Sequence, residues 1–154
     1  METTSELAQI NVARLLAPLD SELLAGFTAA LEPVNAAAEA ADGYRWRLQD
    51  YGGDATGIRV FEDDWLIVNM SVWRDPRSLS AYVYGPAHRE VLGRRRTWFA
   101  RPVEAMTALW WVPAGHRPDV AEAQARLVAL REHGPTPEAF TLRHTFPAPA
   151  AAER

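Results

Sequence analysis

Tyr84 to Phe99, YGPAHREVLGRRRTWF, sets a histidine and three consecutive arginines among aromatic residues. At about 100° per residue, Tyr84, His88, Leu92, Arg95 and Phe99 fall on a single face of one helix. A face meant only for packing would carry Leu, Val or Ala where His88 and Arg95 stand. The helix therefore either overlooks a polar cavity or is an ordinary amphipathic helix with a charged shoulder. In the first case His88 is a general acid or base near neutral pH. Arg95 then holds a carboxylate, enolate or bound oxyanion bidentately. A lone histidine between aromatic walls is also the setting of an axial haem ligand. In the second case His88 hydrogen-bonds a carbonyl or carboxylate and fixes helix packing. The arginines are then solvated or paired with Glu90, Glu104 or a second subunit. Arg96 lies on one shoulder of the helix and Arg94 points away.

A second set lies mid-strand. Asn11, Asn69, Ser71 and Thr107 interrupt segments that are otherwise apolar, and Trp73 and Trp111 share their faces. A buried amide without a partner costs about 1–3 kcal/mol, so Asn11 and Asn69 bond each other, water or a ligand. Tryptophans pack flat polycyclic ligands, and they also dominate cores and interfaces. Among the remaining histidines, His116 falls in a turn and His133 near a helix end. His144 alternates with Leu142 and Phe146 and so reaches toward the same face.

The totals narrow the chemistry. The 154 residues are one domain's length, with 48% hydrophobic and 23% charged content, as in ordinary globular proteins. A net charge of −4 opposes general nucleic-acid binding, which needs a basic surface. All 16 basic residues are arginine and there is no cysteine. Schiff bases on lysine, disulfides, thiolate metal sites and cysteine nucleophiles are thereby excluded. No His/Asp/Glu group has metal-ligand spacing, DYGGDATG lacks the calcium-loop pattern, and phosphate-loop and dinucleotide motifs are absent. No apolar run approaches about 18 residues, and METTSELAQ lacks the regions of a signal peptide. We therefore expect no membrane partner and a cytoplasmic location.

The elements that must position these residues follow from periodicity. Strands are expected over 7–14, 44–49, 65–73, 104–113 and 140–146, and 57–61 either resumes the second strand or forms a short one of its own. Helices are expected over 21–41, capped by Asp20 and kinked at Pro33, and over 75–99, started by Asp75-Pro76 with a break at Gly85-Pro86. A third spans 120–133, between Asp119 and Gly134. Strand, helix, strand, strand, helix, strand is the split βαβ, ferredoxin-like order, an α+β class with an antiparallel sheet and an appended C-terminal helix and strand. The expected domain is 6–147, with 1–5 loose and 148–154 a disordered tail. One sheet face should pack on the two helices. The other, bearing Gln9, Asn11, Asn69, Ser71, Thr107 and the tryptophans, would be bare in a monomer, and two such sheets closing on each other would form a homodimeric α/β barrel.

The stretches LAQINVARLLAPLD, YRWRLQ, VYGPAHREVLGRRRTWF, ALWWVPAGHRPDVAEAQARL and GPTPEAFTLRHTF resemble the domain-of-unknown-function family 3291, over roughly residues 6–147. That family is placed among the dimeric α/β barrels, with antibiotic-biosynthesis monooxygenases, stress-responsive barrel proteins and some haem enzymes as relatives. The resemblance implies the barrel fold and supplies no catalytic residue. Cofactor-free monooxygenases of this fold surround an electron-rich substrate with Asn, Trp and Arg side chains. The expectation is thus a monooxygenase-like enzyme acting on an aromatic or polyketide-like molecule without a nucleotide cofactor. His88, Arg95 and Asn69 are its catalytic candidates, and Asn11, Ser71, Trp73, Tyr84, Thr107 and Trp111 its substrate-binding ones. A haem enzyme ligated by His88 and a non-catalytic ligand-binding or stress-associated dimer stand as alternatives.

Overall fold

The computed structural model describes residues 5–50 and 53–149. Four strands, β1 (Ser5–Arg14), β2 (Tyr44–Arg47), β3 (Leu66–Trp73) and β4 (Thr107–Pro113), form one sheet in the order β2-β3-β1-β4. Every neighbouring pair is antiparallel, so the chain has the ferredoxin-like architecture its element order predicts. The helices are α1 (Ala25–Ala40), entered through a 3-10 turn at Glu22–Leu24, α2 (Pro76–Val83), α3 (Pro86–Gly93), α4 (Arg95–Trp98) and α5 (Val120–His133). No helix among the described residues is long and apolar enough to cross a membrane.

Local chemistry explains most boundaries. Asp75 caps α2 by accepting from the Ser78 backbone N–H at 2.8 Å and the Ser78 hydroxyl at 2.9 Å. Asp119 caps α5 by accepting from the Glu122 N–H at 2.8 Å, and Gly134, at φ 71°, ends it. Asp20 does not cap the first helix: Ser21 precedes the 3-10 turn and makes no side-chain cap bond. Pro33 lies inside α1 without dividing it. Ser5 already belongs to β1, whereas the expectations for residues 1–4 and for the tail from 150 onward lie outside the described residues.

Further expectations are corrected. The expected break at Gly85-Pro86 is present, where Pro86 lacks the N–H to continue α2, but the part expected to run on through Phe99 is broken again at Arg94. The face shared by Tyr84, His88, Leu92, Arg95 and Phe99 therefore does not exist. The strand over 140–146 reduces to one bridge, Phe140 with Leu109, joined by two backbone hydrogen bonds of 2.8 Å. Residues 57–61 likewise give only the bridge Val60–Asp63.

A further correction concerns the faces. Residues of β1 alternate, and those on one side, Ala8, Ile10 and Val12, join Leu66, Val68, Met70, Val72, Ala108, Trp110 and Val112 in a fully apolar layer. Ala123, Leu127 and Leu130 of α5 cover it, together with Ala55, Val60 and Ala139. The other side carries Leu7, Gln9 and Asn11 and meets α1 and α2 through Ala38 and Leu79. Near its far end Ile67 packs on Leu24, Phe27 and Trp98. The polar face is thus the one flanked by α1, α2 and α4, and the appended helix α5 occupies the opposite face. Replacing the fully buried Leu127 with Ala should cost about 2–5 kcal/mol, read as a lower urea midpoint with unchanged slope. A surface-like loss below about 0.5 kcal/mol would show that α5 does not seal this face.

Candidate functional site

Register places the polar side chains in rows across β3, β1 and β4. Trp73, Leu7 and Trp111 form one row, Ser71, Gln9 and Leu109 the next, and Asn69, Asn11 and Thr107 the third. The first row is closed, with Trp73 only 1% exposed. In the second, Gln9 and Ser71 are each 6% exposed. In the third, Asn11 and Asn69 reach solvent. A polar strip thus runs from the buried end of the sheet to the exposed side chains of Asn11 and Asn69.

Hydrogen bonds tie the strip together. The Gln9 amide nitrogen donates to Asn69 Oδ1 at 2.7 Å and to Ser71 Oγ at 2.7 Å. The Trp73 indole N–H donates to the same Ser71 Oγ at 2.8 Å. Asn11 Nδ2 donates to Thr107 Oγ1 at 2.7 Å. Gln9 was expected only as a strand residue on this face, yet it is the junction of the network. The available signal was its alternation with Asn11, an amide facing the core where an aliphatic would ordinarily sit.

Aromatic rings wall the closed end. Tyr82 stacks on Trp73 with centroids 5.1 Å apart and planes at 26°, and Tyr44 meets Trp73 edge-on at 5.8 Å. The Tyr82 hydroxyl donates to the Val34 carbonyl of α1 at 3.1 Å. Burial pushes its pKa up to about 12, so it stays protonated and holds that bond at neutral pH. Tyr82 was not foreseen, because its role depends on where α2 docks. On the β4 side, Trp111 is half-buried and donates from its indole N–H to the Phe146 carbonyl at 2.8 Å. Arg47 of β2, opposite Ser71, holds Glu39 of α1 at 2.9 Å and pins that helix beside the strip.

The expected helix-borne residues are not part of this arrangement. Tyr84 terminates α2 and is 63% exposed. Arg95 is exposed, and its guanidinium donates to the Leu92 carbonyl in the last turn of α3 at 2.6 Å. Arg94 does not point away: it lies over the Trp98 ring at 4.8 Å. His144 is exposed in an irregular segment.

His88 sits behind the wall, its ring edge-on to Tyr82 at 5.2 Å. Its Nδ1 is buried with no hydrogen-bond partner. Burial pushes its pKa down, and the nearby Val83 backbone opposes the shift. With Tyr82 against the ring and Nδ1 sealed, Nδ1 is not available as an axial haem nitrogen. A buried histidine that must take up a proton destabilises the fold in acid. Its folded pKa lies below the unfolded value of about 6.5, so the unfolded state binds more protons as pH falls below that point. Stability should be full above about pH 6.5 and decline beneath it. The His88→Phe variant should show a smaller melting-temperature drop between pH 7.5 and 5.5 than the parent, by roughly 2–4 °C. An equal drop in both would assign the acid sensitivity elsewhere.

The family model "Domain of unknown function (DUF3291)" matches residues 6–154, and the chain belongs to that family. No curated protein matches. Among solved structures, PA3566 from Pseudomonas aeruginosa aligns with a TM-score of 0.50 at 14% identity, covering 75% of this chain and 100% of that one. A putative antibiotic biosynthesis monooxygenase from Nitrosomonas europaea aligns at 0.46 and 13% identity, over 75% and 94% of the two chains. SnoaB, a cofactor-independent oxygenase from Streptomyces nogalater, aligns at 0.45 and 13%, over 78% and 100%. The likeness to PA3566 concerns the fold alone.

Proposed function

We propose that this member of the DUF3291 family binds a flat organic molecule, aromatic or polyketide-like, along the polar strip and acts on it as a monooxygenase-like enzyme without a nucleotide cofactor. The observation that supports this reading is the strip itself. A row of amides and hydroxyls on an otherwise apolar sheet, buried at one end and open at the other, is a binding surface with fixed polar groups and aromatic walls. In this reading Asn69 and Asn11 orient the ligand at the open end, and Ser71 and Thr107 add polar contacts beside them. Trp73 forms the closed floor and Trp111 the β4-side wall. Arg95 and Tyr84 take no part in it.

A non-catalytic ligand-binding protein is the second reading, favoured by one feature: Gln9, Ser71 and Trp73 satisfy one another without a ligand. Thermal shift with a panel of aromatic and polyketide compounds tests binding. A ligand at about 100 times its Kd adds about 2.7 kcal/mol of stability, or roughly 5–10 °C in melting temperature for a chain of this size. Asn69→Leu should abolish the shift while the unliganded protein still melts cooperatively. Oxygen consumption with the same ligand separates the readings, since the enzyme consumes oxygen and the binding protein does not. No shift from any compound would sink both. The homodimer is a separate proposal, since α5 covers one sheet face and α1 and α2 pack on the other; light scattering at micromolar concentration should give twice the 17.1 kDa chain mass, and a monomer would remove it.

A further inference from the structure

The arginines of β1, β2 and α5 each hold a carboxylate. Those between residues 89 and 101 do not. Arg89, Arg94, Arg95, Arg96 and Arg101 are exposed and form no ion pair among the described residues, and the segment holds one acid, Glu90. The chain as a whole carries a net charge of −4, so positive charge is concentrated here against the overall sign. Like charges at such spacing oppose one another, and none of the described carboxylates closes on them. The three consecutive arginines also take different directions. Arg94 lies over the Trp98 ring at 4.8 Å and against Gly26 of α1, where a Cβ would collide with its guanidinium. Arg95 turns back to the Leu92 carbonyl of α3, and Arg96 follows about 100° further around α4. Beside them the surface is apolar. Leu16, whose N–H donates to the Trp98 carbonyl at 2.9 Å, is 49% exposed, and Leu23, next to the Leu24 that packs on Trp98, is 46% exposed.

We infer that this corner of the molecule is a docking surface for a flexible acidic segment of a partner protein, one that carries apolar residues between its carboxylates. A flat anionic surface such as a bilayer meets only one side of α4. An extended polypeptide can instead follow arginines that point in several directions, because a disordered segment wraps the surface it binds. Arg94 on the Trp98 ring and Arg95 on the Leu92 carbonyl each hold a guanidinium in place while leaving it exposed, and a guanidinium so held grips a carboxylate bidentately. Leu16 and Leu23 add apolar contact, which a polymer bearing only phosphates would leave in water. Docking there does not require a ligand in the polar strip.

The probe is a fluorescently labelled peptide of Glu-Glu-Leu-Gly repeats, titrated with the full chain and read by anisotropy. It should bind at low salt and weaken as ionic strength rises. Arg96→Glu and Arg95→Glu/Arg96→Glu should lower the affinity stepwise, the double variant by roughly tenfold or more, with cooperative melting retained. Arg96 makes no hydrogen bond or ion pair among the described residues, so its single replacement carries the test where the double variant does not fold. Arg77, exposed on α2 and likewise without an ion pair, is the control, and Arg77→Glu should leave the affinity unchanged. Leu16→Ser/Leu23→Ser should weaken binding without altering its salt dependence. An equal loss in Arg77→Glu and Arg96→Glu would reduce the effect to net charge and overturn the docking surface. So would no peptide binding by the parent, unchanged binding in the leucine variant, or tighter binding of phosphatidylglycerol vesicles or a single-stranded oligonucleotide than of the peptide.

Discussion

β1 is paired on both sides, and its side chains alternate between two faces that meet different surroundings. Under α5 the layer is apolar throughout, and such a layer is stabilised by exclusion of water without demanding any particular orientation of its members. On the other face Gln9 is 6% exposed, and its amide must find partners within the protein or lose about 1–3 kcal/mol per unmade bond. That requirement fixes Ser71 and Asn69 on β3, and through Ser71 the indole of Trp73. Trp73 in turn supplies the surface on which Tyr82 stacks, and Tyr82 ties α2 to α1 through the Val34 carbonyl. The docking of the helix layer is thus coupled to satisfaction of one glutamine.

The two ends of the polar face differ in kind. Leu7, Trp73, Tyr44 and Tyr82 close one end as a packed aromatic group, with the hydrogen bonds inside it shielded from water. At the other end Asn11 and Asn69 reach solvent, flanked farther along by the group of Leu15, Leu24, Phe27 and Trp98 that seals α1 and α4 to the sheet.

Much of this was legible in the sequence, and the failures have physical causes. The span 120–133 with its Asp and Gly punctuation, the strand around 66–73 and the ferredoxin-like order follow from periodicity and caps. So does the grouping of Asn11, Asn69, Ser71 and Thr107 on one face. Which face that would be was not legible. Alternation says which residues travel together, whereas the side taken by α5 depends on packing among segments more than 50 residues apart. The sequence view of Tyr84–Phe99 failed because a helical wheel assumes an unbroken axis, and Pro86 and the break at Arg94 rotate the later residues away from Tyr84. The strand over 140–146 failed for another reason. After the bridge at Phe140, Leu142 and Phe146 turn to pack on the group around Trp111, and the Trp111 indole takes the Phe146 carbonyl, so burial of these apolar side chains prevails over continued pairing with β4.

His88 lies in surroundings that oppose its charge. General acid–base work needs hydrogen-bond reach to the reacting proton, and Tyr82 stands between His88 and the polar strip. A column of rings, Trp73 on Tyr82 on His88, runs from the floor of the strip into the helix layer at centroid spacings of 5.1 and 5.2 Å. A charge on the imidazole would be desolvated there, so the neutral ring is the form compatible with that column. The titratable group sits where its charge would loosen the aromatic wall, while the polar atoms at the opening are neutral amides and hydroxyls.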